Sequence, residues 1–109
     1  MNENQEFKQY VWYDYFVSKD CIVKNKKGEI LNPQKNANGY FFYELSINGK
    51  RKRVLAHRLL MYVWQPNINF INLQVNHIDF DKSNNKLSNL EWCSPKENSQ
   101  HYHKNKKSL

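Results

Sequence analysis

The sequence predicts an α+β protein: an N-terminal antiparallel β meander, one helix, and a C-terminal strand–loop–strand–helix unit. Three observations carry that expectation. The run from Tyr40 to Ile47 is rich in aromatics and closes on Asn48-Gly49, a hairpin signal because both residues tolerate the positive φ of a type I′ turn. After Leu55 the apolar period lengthens, so that Leu59, Leu60, Val63 and Trp64 fall at helical spacing. From Gln74 onward two short apolar stretches flank a turn-rich loop and lead into a helix start.

In chain order, Phe7 to Val23 is rich in Tyr, Trp, Phe and Val and reads as strand material. Lys26-Lys27-Gly28-Glu29 reads as a turn, Ile30-Leu31 as a short returning strand before Pro33, and Gln34 to Gly39 as a second polar turn region. Tyr40 to Ile47 then pairs with Lys50 to Leu55. The helix spans Ala56 to Gln65 and stops before Pro66, because the residue preceding proline is driven out of the α region. A polar connector, Asn67 to Asn72, leads to the stretch with Val75 and His77, the loop from Asp79 to Asn85, and the run with Leu87, Leu90 and Trp92. Ser94 suits an N-cap, Pro95 the first helical position, and Glu97 completes a capping box.

A chain of 109 residues makes one compact domain, dividing at most into a β region over 1–55 and a second unit over 56–109. Lys and Arg total 17 against 10 acidic residues, a net charge of +7 and a pI near 9.4. That balance points to a polyanionic partner, since phosphate neutralisation with counterion release drives association; solubility alone is the bland alternative. Cys21 and Cys93 stand far apart without a CxxC, which argues for two reduced buried thiols rather than a disulfide framework. A zinc site from Cys93, His101 and His103 has the wrong spacing. The polar, acidic N-terminus starts no signal peptide, and no apolar run approaches a membrane span. A cytoplasmic protein is therefore the expectation. Heavy use of Asn, Lys, Ile and Tyr suits an AT-rich genome, such as a phage or its low-GC bacterial host.

The sharpest signal is the order of Asn76-His77, Lys82-Ser83-Asn84-Asn85, Asn89-Leu90-Glu91-Trp92 and Ser94-Pro95-Lys96-Glu97-Asn98. This arrangement resembles the HNH endonuclease family, in particular the small phage and intron homing type, over the C-terminal half. His57-Arg58-Leu59 looks like the helix these proteins place before the motif. The resemblance implies a ββα-metal unit and metal-dependent cleavage of double-stranded DNA, with Mg²⁺ or another divalent cation such as Mn²⁺ as cofactor.

Within that resemblance His77 is the candidate general base, because a neutral imidazole takes a proton from water near neutral pH. Asn76 and Asn98 are the implied metal ligands, and Asn89 the residue that braces the loop behind His77. Without the motif, each would read as an ordinary core, turn or surface residue. Neighbouring strand side chains face opposite ways, so Asn76 and His77 share a site only if the strand ends or bulges there. For DNA contact the candidates are Lys50, Arg51, Lys52 and Arg53 on the hairpin, then His57, Arg58, Lys82 and His101. The alternative for the hairpin cations is a charged edge strand that discourages aggregation. Relatives carry Gly where this chain has Phe80, a departure that strains the loop if the position needs positive φ. Two rivals stay open: a DNA-binding protein that has lost cleavage, and a basic module for protein or RNA. Mg²⁺-stimulated cleavage and the salt dependence of binding discriminate them. A single site nicks as a monomer, and a homodimer would cut both strands.

Overall fold

The computed structural model describes residues 5–11 and 13–97. Asn98, His101 and His103 therefore lie outside the described residues. Among the described residues, three antiparallel sheets surround one long helix. The first joins β1 (Phe7–Gln9), β2 (Tyr15–Ser18) and β3 (Val23–Asn25); the second joins β4 (Gln34–Lys35), β5 (Phe41–Ile47) and β6 (Lys50–Leu55). Helix α1 (Ala56–Trp64) follows β6 directly, and β7 (Gln74–His77) pairs with β8 (Leu90–Cys93) as a two-stranded ribbon. The α+β architecture is the one the sequence predicts.

The N-terminal region differs in detail. Phe7 to Val23 is broken twice, where Tyr13 N–H turns back to the Tyr10 carbonyl (2.9 Å) and Cys21 N–H to that of Ser18 (3.0 Å). Ser18 Oγ also accepts from Ile22 N–H, a local side-chain bond that competes with strand continuation. Ile30-Leu31 returns only as a bridge at Lys24 and Ile30, with Leu31 N–H on the Val23 carbonyl. The Asn48-Gly49 turn forms as read, with φ of 53° and 77°.

The core is built where β2, β3, β5, α1 and the β7–β8 ribbon meet. Val17, Val23, Leu45, Leu59, Leu60 and Met61 have no exposed surface. Fully burying a Val, Leu or Met side chain stabilises by roughly 1.5–3 kcal/mol, so this cluster holds the three sheets against the helix. Two indoles fix the C-terminal end of the helix: Trp64 Nε1–H donates to the Val17 carbonyl at 3.0 Å, and Trp92 Nε1–H to that of Gln65 at 2.6 Å. Both cysteines are free and buried; burial pushes the Cys21 thiol up to about 12, which makes it chemically inert. After β8 the capping box closes as the sequence predicts. Ser94 Oγ accepts from Glu97 N–H (3.1 Å), and the Glu97 carboxylate accepts from Ser94 N–H (2.8 Å).

Candidate functional site

The β7–β8 ribbon has regular pairing through His77 and Leu90, with no bulge. Strand alternation therefore sends Asn76 and His77 to opposite faces. His77 turns inward, only 5% exposed, and its ring meets His57 at 4.8 Å and Tyr40 at 6.1 Å between centroids. Tyr40 in turn stacks on His57 at 5.3 Å and carries the Lys82 ammonium over its ring at 4.7 Å. His77 Nε2 lies 2.7 Å from Asn85 Oδ1. With the amide oxygen facing the ring, Nε2 carries the proton and Nδ1 is left as the basic nitrogen.

Beyond β7 the chain enters a loop closed by side chains. Ile78 N–H donates to the Asn89 carbonyl (2.9 Å), and Asn89 Oδ1 accepts from Asp79 N–H (3.1 Å). Asn89 Nδ2 donates both to Asp79 Oδ1 and to the Asn84 carbonyl, each at 2.9 Å. The Asp79 carboxylate also accepts from Asp81 N–H and Asn84 Nδ2. These donors, Asn84 first, hold the Asp79 carboxyl below the usual carboxylate range. Asn89 thus ties both ends of the loop together without touching the imidazole. The ring's own partner is Asn85, which the sequence reading did not single out. Two adjacent asparagines in the Ser83-Asn84-Asn85 run give no means of telling which one faces the ring.

Phe80 sits at φ 65°, the left-handed region that costs a side chain about 1–2 kcal/mol. The loop keeps its turn there, Phe80 N–H returning to the His77 carbonyl at 3.0 Å. The departure from glycine strains the loop without removing it.

On the other face Asn76 is buried, and its Nδ2 donates to Glu91 Oε1 at 3.1 Å, directly across the ribbon. Glu91 is a second residue the sequence reading passed over, because the register that opposes it to Asn76 depends on the loop geometry. An amide and a carboxylate side by side supply oxygen donors, the set that suits a hard cation such as Mg²⁺ or Mn²⁺ rather than zinc. Among the described residues no group of three His, Cys, Asp or Glu gathers as a fuller metal cage.

The proposed DNA-contacting cations separate into two kinds. Lys50, Arg51, Lys52 and Arg53 are all exposed along β6, with the Arg53 guanidinium 4.8 Å from the Phe42 ring. Lys82 is exposed but anchored, its Nζ donating to the Asn38 carbonyl at 2.9 Å. Arg58 is half-buried, donating to Tyr62 Oη at 2.9 Å and lying over the Tyr62 and Trp92 rings. His57 is the exception. Burial, then the neighbouring His77 and Arg58, lower its pKa to about 3. It is neutral at physiological pH and presents no charge to a phosphate; its place is in the wall beside His77.

The family model for HNH endonuclease matches residues 54–100, from the end of β6 through the ribbon and past the capping box. Two uncharacterized HNH endonucleases of Acanthamoeba polyphaga mimivirus are 39% identical over 92 residues and 37% identical over 91. Those matches cover 82% and 80% of this chain, but 27% and 22% of the relatives. The solved structure of the HNH homing endonuclease I-HmuI, described for DNA binding and cleavage, matches with a TM-score of 0.83 at 31% identity, over 92% of this chain and 59% of its own. The chain belongs to the HNH endonuclease family. It spans about a quarter of the length of these viral HNH relatives. Among the described residues no helix of this HNH protein is long and apolar enough to cross a membrane.

Proposed function

We propose that this protein is a metal-dependent endonuclease that hydrolyses a phosphodiester bond of double-stranded DNA and, as a monomer, nicks one strand. The observation that carries the reading is the fixed imidazole at the end of β7: His77, walled by His57 and Tyr40, with Nε2 held at 2.7 Å by Asn85. Nδ1 takes the proton from a water as its oxygen bonds to phosphorus and the P–O3′ bond breaks; the 3′ oxygen leaves with the electron pair and takes a proton from solvent, giving a 3′ hydroxyl and a 5′ phosphate. Asn85 fixes the ring's tautomer, and Asn89 positions the loop from which Asn85 reaches it. Asn76 and Asn98 would hold the cation, with Glu91 beside Asn76 supplying the carboxylate that two asparagines lack. A bound divalent cation supplies charge stabilisation at the phosphate and at the departing oxygen.

The division of labour follows the chain. Residues 1–55 with the β6 cations contact DNA, and residues 56–109 carry the chemistry; Lys82, Arg58 and His101 extend the phosphate track. The test is conversion of supercoiled plasmid with Mg²⁺ or Mn²⁺, comparing wild type, His77→Ala and an EDTA control. Nicked circle that vanishes in both controls supports the reading. Binding without conversion, across metals and sequences, replaces it with a DNA-binding protein that has lost cleavage. Conversion that survives in His77→Ala removes His77 as the base.

A further inference from the structure

A groove with a cavity of about 640 Å³ runs between the β1–β2 turn, strand β6 and the outer face of α1, away from the His77 pocket. Its cations include Lys50, Lys52 and Arg58, and its aromatic walls are Tyr10, Tyr13 and Tyr62. Among the described residues, no Asp or Glu lines it. Tyr10 stacks on Tyr62 at 6.4 Å with ring planes 10° apart, and Tyr13 tilts against Tyr10 at 4.9 Å. Arg58 donates to Tyr62 Oη and is braced over the Tyr62 ring, so that wall is fixed by α1.

Paired bases in a duplex are stacked on one another and offer their faces to nothing else, so cations alone suffice to follow the backbone of intact DNA. Tyrosine hydroxyls can also reach the phosphates of a paired duplex, but the ring faces gain by stacking when a base leaves the stack, because every base has a π-face. A cavity of this size falls in the range that encloses a single small molecule rather than a duplex. The groove is also tied to the chemistry. Arg58, one of its lining residues, is next in sequence to His57, whose ring meets His77.

We propose that this groove binds an unpaired nucleotide of the DNA strand, its base against Tyr13 and Tyr10 and its phosphates on Lys50 and Lys52. The proposal rests on the DNA reading above and narrows its substrate to DNA with a base out of the stack near the cut. It implies stronger binding to single-stranded or bulged DNA than to the same sequence fully paired.

Fluorescence anisotropy in EDTA tests this without cleavage, using a labelled single strand, a duplex with one bulged base, and the fully paired duplex. Tyr13→Ala is expected to weaken binding to the single strand and the bulge about ten-fold or more while leaving the paired duplex unchanged. Tyr13→Phe keeps the ring and should restore wild-type affinity for all three. Lys52→Gln should weaken all three and lower the salt slope by about one unit. Equal affinity of wild type for bulged and paired DNA would overturn the proposal, as would a Tyr13→Ala loss that is the same on every probe. Binding to none of the probes would sink the DNA reading itself, whereas tight paired-duplex binding without a tyrosine effect would sink only the groove.

Discussion

The loop between β7 and β8 and the hairpin between β5 and β6 are both turns joining antiparallel strands, yet they are held by different forces. The hairpin is closed by its backbone ladder, with six residue pairs from Phe42↔Leu55 to Ile47↔Lys50 and a two-residue type I′ turn. Its β6 side chains are left free to carry charge. The β7–β8 loop has twelve residues between His77 and Leu90, and side chains close it: those of Asn89, Asp79 and Asn84 take the place of a ladder. A surface that meets a polyanion needs charge at the right density and tolerates exchange of its members. A site that must aim one imidazole needs every neighbour in place, and it should tolerate little.

Acid should separate the two regions most strongly, through His57. Its folded pKa is about 3, below the ordinary value near 6.5, so the unfolded chain binds the extra proton. The stability it contributes is therefore present above about pH 6.5 and lost as pH falls toward 3. A shift of this size corresponds to several kcal/mol. His57 faces Tyr40, His77 and the adjacent Arg58, so His57→Phe keeps the ring contact while removing the titration. Urea unfolding from pH 7 to 4.5 should show wild type losing stability more steeply than His57→Phe. Parallel curves would mean that His57 reaches water and its proton freely. Asp79, Asp81 and Glu97, whose pKa values are lowered, weaken the fold in the same direction at lower pH in both proteins.

Asn89→Ala is the next largest break. It removes three side-chain hydrogen bonds and leaves Asp79 N–H and the Asn84 carbonyl without their partner, at about 2–3 kcal/mol. Plasmid nicking should fall by at least ten-fold while the affinity of the β6 surface for DNA is unchanged. A variant that unfolds at the wild-type urea midpoint would show that the loop is held by something other than Asn89. On the hairpin, Lys50→Gln with Arg51→Gln should leave stability within about 0.5 kcal/mol. The same pair should lower the salt slope of DNA binding by about 2. Loss of fold in that variant, or an unchanged slope, would erase the contrast between the two turns.

Much of the hairpin was legible in the sequence, because its information is local: Asn48-Gly49 specifies its own turn, and the run of cations specifies its own surface. The helix start at Ser94 was legible for the same reason, since Ser94 and Glu97 serve each other three residues apart. The two breaks in Phe7 to Val23 were not, because Tyr and Val favour strands on both sides of each turn and the Ser18 hydroxyl decides where the second one falls. At the site, the motif gave roles to His77 and Asn89 but none to Asn85 and Glu91, which it contains, and did not reach Tyr40. Those three depend on register and loop closure, which bring residues 15, 8 and 37 positions apart into contact. His57 was read as opening a helix whose N-terminus faces a phosphate, because its place at the helix start is visible in sequence while its burial against Tyr40 and His77 is not.

The smallest expected effect concerns the one residue at which the loop's geometry and its sequence disagree. Phe80 holds φ 65° with its side chain 43% exposed. Glycine there would remove about 1–2 kcal/mol of left-handed strain. It would also give the unfolded chain more freedom to lose, which offsets about 0.4–1 kcal/mol of that gain. Phe80→Gly should therefore stabilise by about 0.5 kcal/mol, seen as a small rise in urea midpoint at constant m-value. A net loss would mean that the Phe80 ring contributes more through its contacts than its backbone costs. The strained turn would then be part of what holds the His77 loop, alongside Asn89.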